Sequence, residues 1–328
     1  MKLRGEWFNS TELKVWLDDS AEGVEIEELT DFFSGVLSLF AADENGRTLR
    51  EYLIEDWNLF SEKADSDAII NEAARVCRNA LTADSKVSYS DDVMFPVNNW
   101  NDIKEELKTN RRFLMDSYIS AKEENWTWLF AANDHLPIGA KFYRGRTNQE
   151  KDKPYTKEEE LTAPKPQYAT PGRVNTYGIP HLYLTDSPET VIYELRSVTG
   201  DQISIAEFMI DKELDILNFT KKEDLYDLFS SDNYDTLLQA VQRQVLLNEI
   251  SKDMSKPVRR YDNSNIDYLP TQLVCEYIRV IKKEDGIIFE SSQKGNGRQN
   301  IVLFDKNNAH MSDCFQRTVG EIEMKFED

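Results

Sequence analysis

Apolar positions in the first 135 residues recur at helical spacing. Leu29, Phe32, Phe33, Val36, Leu37 and Phe40 form one stripe at a spacing of three to four. Ile69, Ile70, Ala73, Val76, Cys77, Ala80 and Leu81 form a cleaner one, with Asp65 or Ser66 placed to cap its start. A third pattern runs from Asp102 through Ile103, Leu107, Leu114 and Tyr118 toward Trp126. Together they predict an all-α helical bundle over residues 1–135, followed by NDHLPIGA (133–140) as a linker. After Lys141 the period changes. KFYRG, PHLYLT, ISIAEFMI, DGIIFES and NIVLF are short runs rich in β-branched and aromatic residues between turn formers, and they predict strands. Helices are expected between them. One is PETVIYELRS, capped by Asp186 or Ser187. A second runs from Asn233 to Met254 and carries Leu237, Leu238, Val241, Val245 and Leu246. The third, PTQLVCEYIRVI, has Pro270 at its start. Strands and helices do not alternate regularly, so residues 141–328 are expected to form an α+β domain of mixed small sheets.

Composition narrows the partners more than the fold. The 328 residues allow two modest domains, and 40% hydrophobic with 11% aromatic content suits packed cores. All six tryptophans lie at or before Trp128, which supports a boundary soon after it. The net charge is −21, divided as −14 up to residue 140 and −7 beyond it. Such a surface repels phosphodiester backbones and argues against a nucleic-acid partner, but a few local arginines can still hold a small phosphorylated ligand. Cys77, Cys275 and Cys314 are scattered and odd in number, which favours reduced thiols in the cytoplasm. The first twenty residues lack an apolar signal core, and no run approaches ~18 apolar residues, so no membrane role is expected.

The chemistry-bearing residues concentrate between Arg144 and Glu194. In FYRGR (142–146), Arg144 shares a strand face with Phe142 and turns inward if Phe142 is core. A buried guanidinium then needs an anion, either a structural acid or a ligand. In GRVN (172–175), glycine permits close backbone approach while Arg173 and Asn175 offer donors; a solvated loop has the same composition. Tyr183 either stacks on a flat ring or is an ordinary half-buried strand tyrosine. Glu194 either pairs with Arg196 or solvent, or points into a cleft as the one obvious carboxylate near the arginines. Ser291 ends a predicted strand before GNG (295–297), where a hairpin serine is equally at home. No zinc spacing, Walker loop, G-x-G-x-x-G or G-x-S-x-G occurs, so no motif for a metal, a redox cofactor or an activated serine is on the chain.

The order of these segments is more specific than any one of them. FYRGR (142–146), APKPQYATPGRVNTYGIPHLYLTDSPETVIYELR (163–196), DYLPTQLVCEYIR (267–279) and DGIIFESSQKGNGRQNIVLF (285–304) resemble the RES domain, a bacterial family named for an arginine, a glutamate and a serine. The usual Gly-Arg-x-Asn-Pro has Thr176 in place of the proline. The resemblance implies a fold similar to the diphtheria-toxin type of ADP-ribosyltransferase. It also implies NAD+ as substrate, cleaved at the nicotinamide–ribose bond by phosphorolysis or hydrolysis, with phosphate as a co-substrate in the first case. By the same resemblance, Arg144 and Arg173 are the phosphate-binding arginines and Tyr183 the aromatic at the nicotinamide end. Glu194 is the ribose-holding acid and Ser291 the family serine, while Asn175 and Asn300 match further motif positions. Relatives often act as NAD+-depleting toxins, against their own cell or during phage infection, and many are neutralised by an antitoxin.

Residues 1–135 are similar, more loosely, to the helical segment that precedes RES domains in longer bacterial proteins and is likened to HEPN domains. A HEPN ribonuclease needs a histidine four to six residues after an arginine, and FLMDSYISA after Arg111 and Arg112 supplies none. A regulatory or dimerising element, in a homo-oligomer, is therefore expected instead of a nuclease. Two rival activities are open on sequence grounds. One is ADP-ribosyl transfer to a protein acceptor through the same pocket. The other is non-catalytic NAD sensing, against which the presence of both arginines, Glu194 and Ser291 argues.

Overall fold

The structure, a computed structural model, describes residues 3–8, 12–17, 24–25, 29–60, 64–112, 126–150, 153–221, 234–256, 264–291 and 298–320. The chain divides into two compact units. One comprises Met1–Asn98 with Lys222–Leu246, and the other Asn99–Lys221 with Leu247–Asp328.

The first unit is not all-helical, contrary to the pattern-based expectation. It contains an antiparallel sheet of β1 (Leu3–Phe8), β2 (Glu12–Leu17) and β3 (Val24–Glu25). It also contains a pair of β4 (Phe40–Thr48) and β5 (Lys86–Tyr89). The signal for β2 was period two, with Leu13, Val15 and Leu17 alternating in ELKVWL, and it was outweighed by the longer stripes beside it. Those stripes did form helices. α1 (Thr30–Ser38) buries Phe33, Val36 and Leu37, while Phe40 leaves the helix to begin β4. α2 (Ser66–Val76) buries Ile69, Ile70 and Ala73, and Asp65 caps it by accepting from the Ala68 N–H at 3.1 Å. α3 (Asp91–Thr109) starts in this unit, but its residues from Asn99 on, including the buried Ile103 and Leu107, belong to the second; the continuation through Leu114 and Tyr118 lies outside the described residues.

The second unit carries one eight-stranded sheet in place of the small sheets expected. Its strands are β6 (Asp134–Leu136), β7 (Lys141–Thr147), β8 (Leu182–Thr185), β9 (Gln202–Ile210), β10 (Leu214–Asn218), β11 (Gly286–Glu290), β12 (Gln299–Leu303) and β13 (Ala309–Thr318). They lie in the order β13-β9-β7-β8-β12-β11-β10-β6. All neighbours are antiparallel except β10 and β11. The five strands predicted from sequence are all present. β6, β10 and β13 were not anticipated, being short or broken by polar residues. The expected linker at 133–140 holds β6 instead, because Asn133 binds the main chain of Asn218 through both ends of its amide, at 2.8 and 3.1 Å. Its helices include α4 (Pro188–Glu194), α5 (Tyr234–Ser255, whose residues up to Leu246 belong to the first unit) and α6 (Leu269–Tyr277).

Alternation along the strands separates two apolar layers. Leu182, Leu184, Ala206, Phe208, Ile301 and Leu303 pack in one. Ile203 and Ile205 pack in the other against Val191 and Leu195, from α4 and its C-terminal end. His181, just before β8, is buried edge-on to Phe304, whose carbonyl lies 3.3 Å from Nδ1. Burial pushes its pKa down to about 4, so the fold holds the ring neutral. The unfolded chain binds that proton more readily, so this stabilisation is complete above about pH 6.5 and fades as pH falls toward 4. Chemical denaturation at pH 7 and pH 4.5 is expected to show wild-type protein losing about 2–3 kcal/mol more than a His181→Gln variant across that interval.

Candidate functional site

β7 and β8 pair at a single position, Tyr143 with Thr185, although β7 runs beside β9 for seven. Where the β7–β8 ladder stops, the Arg144 guanidinium takes over. Its Nη1 donates to the Tyr183 carbonyl at 2.9 Å, a group that a continued ladder would have to satisfy with main chain. Arg144 thus turns inward, as its alternation with Phe142 predicts, whereas Arg146 is exposed over the Tyr155 ring. Among the described residues no carboxylate lies within 4.0 Å of Arg144, so the structural salt bridge open on sequence grounds is not formed. Burial lowers its pKa, and the Arg146 charge adds to the effect. Since arginine stays protonated in proteins, the result is a half-buried cation suited to an anion.

The opposing acid comes from α4. Ser187 caps this helix, accepting from the Thr190 N–H at 3.2 Å, and Pro188 follows at the first turn, where its missing N–H costs nothing. Gly145 lets the helix lie close to β7: a Cβ there would sit 2.2 Å from Val191 Cγ1 and 3.3 Å from Leu195 Cδ1. Glu194 ends the helix and turns toward the sheet. Its Oε1 accepts from Asn300 Nδ2 at 2.9 Å and from the Ser291 hydroxyl. Oε2 has no hydrogen bond among the described residues, and Glu194 makes no ion pair there. Pairing with Arg196, the bland alternative, is not what the structure contains. Asp186 fixes the register behind this arrangement, with one carboxylate oxygen on the Gln299 N–H (3.0 Å) and the other on the Thr190 hydroxyl (2.6 Å).

Tyr183 forms another wall. Its hydroxyl donates to Asn175 Oδ1 at 2.8 Å and accepts from the Val174 N–H at 3.2 Å. Burial pushes the phenol pKa upward, which keeps it neutral. With donor and acceptor both engaged, the hydroxyl is committed to the loop. Gly172 is required here, since a Cβ would come within 2.9 Å of the phenol oxygen. Arg173 reaches away from the loop to the end of α5, donating to the carbonyls of Asp253 (3.2 Å) and Lys256, with Tyr268 under its charge at 5.3 Å. Burial lowers its pKa as well, and Tyr268 and Glu194 act in the opposite direction.

These groups line one cavity of about 280 Å³, near the lower end of the ~300–1,000 Å³ common for small-molecule sites. Arg144, Arg173, Tyr183, Glu194 and Asn300 are on its walls. Ser291 and Asn175 stand behind, each hydrogen-bonded to a wall residue. A family model for the RES domain matches residues 141–324, more than half of the chain. The chain belongs to the RES family. No curated protein matches it. The RES family is associated with NAD-related toxin and defence proteins, and the matched span contains every residue of the cavity.

Of the seven residues named from sequence, five line this cavity and Ser291 and Asn175 hydrogen-bond to its walls, but the residues that support them were missed. Asp186 entered only as a candidate cap. Met254 entered only as the end of a helix and Phe289 only within a strand run, and both are apolar walls of the cavity. Thr271 and Gln272 lie inside the stretch DYLPTQLVCEYIR, where two adjacent polar side chains at the start of an apolar helix were the available signal. The closeness of α4 to β7 generates a prediction. Gly145→Ala must displace Val191, so it is expected to cost about 1–3 kcal/mol, read as a lower midpoint in chemical denaturation.

Proposed function

We propose that the RES unit binds NAD+ in this cavity and breaks the bond between nicotinamide and ribose. The reading rests on one observation above all. Glu194, held on one oxygen by Ser291 and Asn300, lines the same cavity as a half-buried Arg144 that no carboxylate among the described residues neutralises. A pyrophosphate is an anion suited to guanidinium forks, and Arg144 and Arg173 are its ligands in this reading. The Tyr183 ring supplies a flat surface for the pyridine. As the C1′–N1 bond breaks, its electron pair leaves with neutral nicotinamide and positive charge develops on the ribose. The Glu194 carboxylate is aimed at that charge, with Oε2 open to a ribose hydroxyl. Water or phosphate then attacks C1′ and releases a proton, giving ADP-ribose or its 1-phosphate. The substrate brings its own leaving group, and no protein side chain changes oxidation state. Depletion of NAD+ by such an enzyme fits a toxin or anti-phage effector, and an antitoxin or a second copy of the chain would be its partner. The fold reading that accompanies this function is similarity to ADP-ribosyltransferases.

Glu194→Gln preserves an oxygen for Ser291 and Asn300 while removing the charge. It should fold normally and consume NAD+ about 10²–10³-fold more slowly, and Glu194→Ala should be no better. Full activity in either folded variant would remove Glu194 from the reaction.

The acceptor is decided by incubating the protein with NAD+ labelled in the adenylate half, with and without phosphate. Label in ADP-ribose or its 1-phosphate is the expected outcome. Label on protein would instead establish ADP-ribosyl transfer, and tight binding without any turnover would establish a sensor.

A further inference from the structure

We infer that Gln272 is a positioning residue for the Tyr183 wall, acting through the main chain of residues 172–175; this rests on the reading of the cavity as a dinucleotide site. Gln272 is buried near the start of α6, and its Nε2 donates to the carbonyls of Gly172 at 2.7 Å and Asn175 at 2.9 Å. Its neighbour Thr271, also buried, donates its hydroxyl to the carbonyl of Arg173 at 2.7 Å. Two adjacent side chains of one helix therefore hold three carbonyls of a four-residue segment. The segment is closed on itself by the Gly172 N–H on the Asn175 carbonyl, at 2.9 Å.

The opposite side of the same segment grips Tyr183. Val174 donates its N–H to the phenol oxygen, and the Asn175 side chain accepts the phenol proton. The Asn175 amide is in turn fixed by the carbonyls of Thr170 and Thr176, at 3.0 and 3.1 Å. A continuous set of hydrogen bonds thus runs from α6 through the loop to the hydroxyl that sets the plane of the ring. Gln272 touches neither the cavity nor the reacting atoms, so its effect on substrate passes through Tyr183. Arg173 is anchored separately, by the end of α5, so loosening the loop main chain acts first on the ring.

A ring that packs against the pyridine equally well before and during bond breaking contributes uniform binding, whose loss raises KM and spares kcat. Gln272→Met keeps the side-chain length and removes both donors, and Thr271→Val is isosteric. Hydrogen exchange and NAD+ kinetics of the full chain test the proposal. Exchange of the Gly172 and Val174 amides is expected to quicken about tenfold in Gln272→Met, with β9 and β12 unchanged. KM for NAD+ is expected to rise about tenfold with kcat within about threefold of wild type. Thr271→Val should move both readouts in the same direction by less, and it decides the matter alone if Gln272→Met does not fold. Unaltered exchange at residues 172–175 in a folded variant overturns the proposal, as does a fall in kcat at constant KM. If wild-type protein consumes no NAD+, the functional reading fails, while the exchange result still decides whether Gln272 positions Tyr183.

Discussion

A half-buried guanidinium that no carboxylate among the described residues meets is the constraint around which the RES unit's cavity is arranged. Arg144 spends one nitrogen on the Tyr183 carbonyl, in the place where β7 and β8 stop pairing. A buried acid beside it would have made an ordinary internal ion pair. The structure instead sets Glu194 on a separate helix and gives it Ser291 and Asn300 as neutral donors. Opposite charges kept on different walls of one cavity are available to a ligand that carries both signs.

The strands and helices serve this separation. β7 delivers Arg144, β8 delivers Tyr183, β12 delivers Asn300, and the end of β11 delivers Ser291. Glu194 depends on α4 lying low over the sheet, which Gly145 permits and the Asp186 contacts to Thr190 and Gln299 hold in register. Side chains that never reach the cavity therefore set the distances across it, as expected of sites built on rigid elements with a supporting layer behind them.

Legibility in the sequence followed the physics of each signal. KFYRG, PHLYLT and NIVLF were plain as strands because a buried sheet demands dense β-branched and aromatic side chains. Each cap was narrowed to two neighbouring residues because the capping bond is local, and Asp65 and Ser187 are the ones that form it. β13 was obscure, since an edge strand with one solvated face reads AHMSDCFQRT. β6 was obscure because its pairing with β10 rests on Asn133 and Asn218, 85 residues apart. The first unit was misjudged because two strong helical stripes outweighed the brief alternation of β2. Within the site, Arg144 and Glu194 could be named from order and spacing. That Arg173 would turn to the α5 carbonyls, or that Gln272 would hold the loop from behind, depends on contacts between segments some 80 to 100 residues apart.

The position of Glu194 in its helix has an electrical consequence. Aligned peptide dipoles leave a partial negative charge at a helix's C-terminal end, where acidic side chains are ordinarily disfavoured by some 0.3–1 kcal/mol. α4 ends on this acid, and Arg196, two residues on, turns the chain away with φ at 51°. Carboxylate and helix end consequently superimpose their fields on the same few ångströms. Under the proposed reading, a sugar ring gaining positive charge there would meet a potential established before it arrives, with no dipole left to reorient.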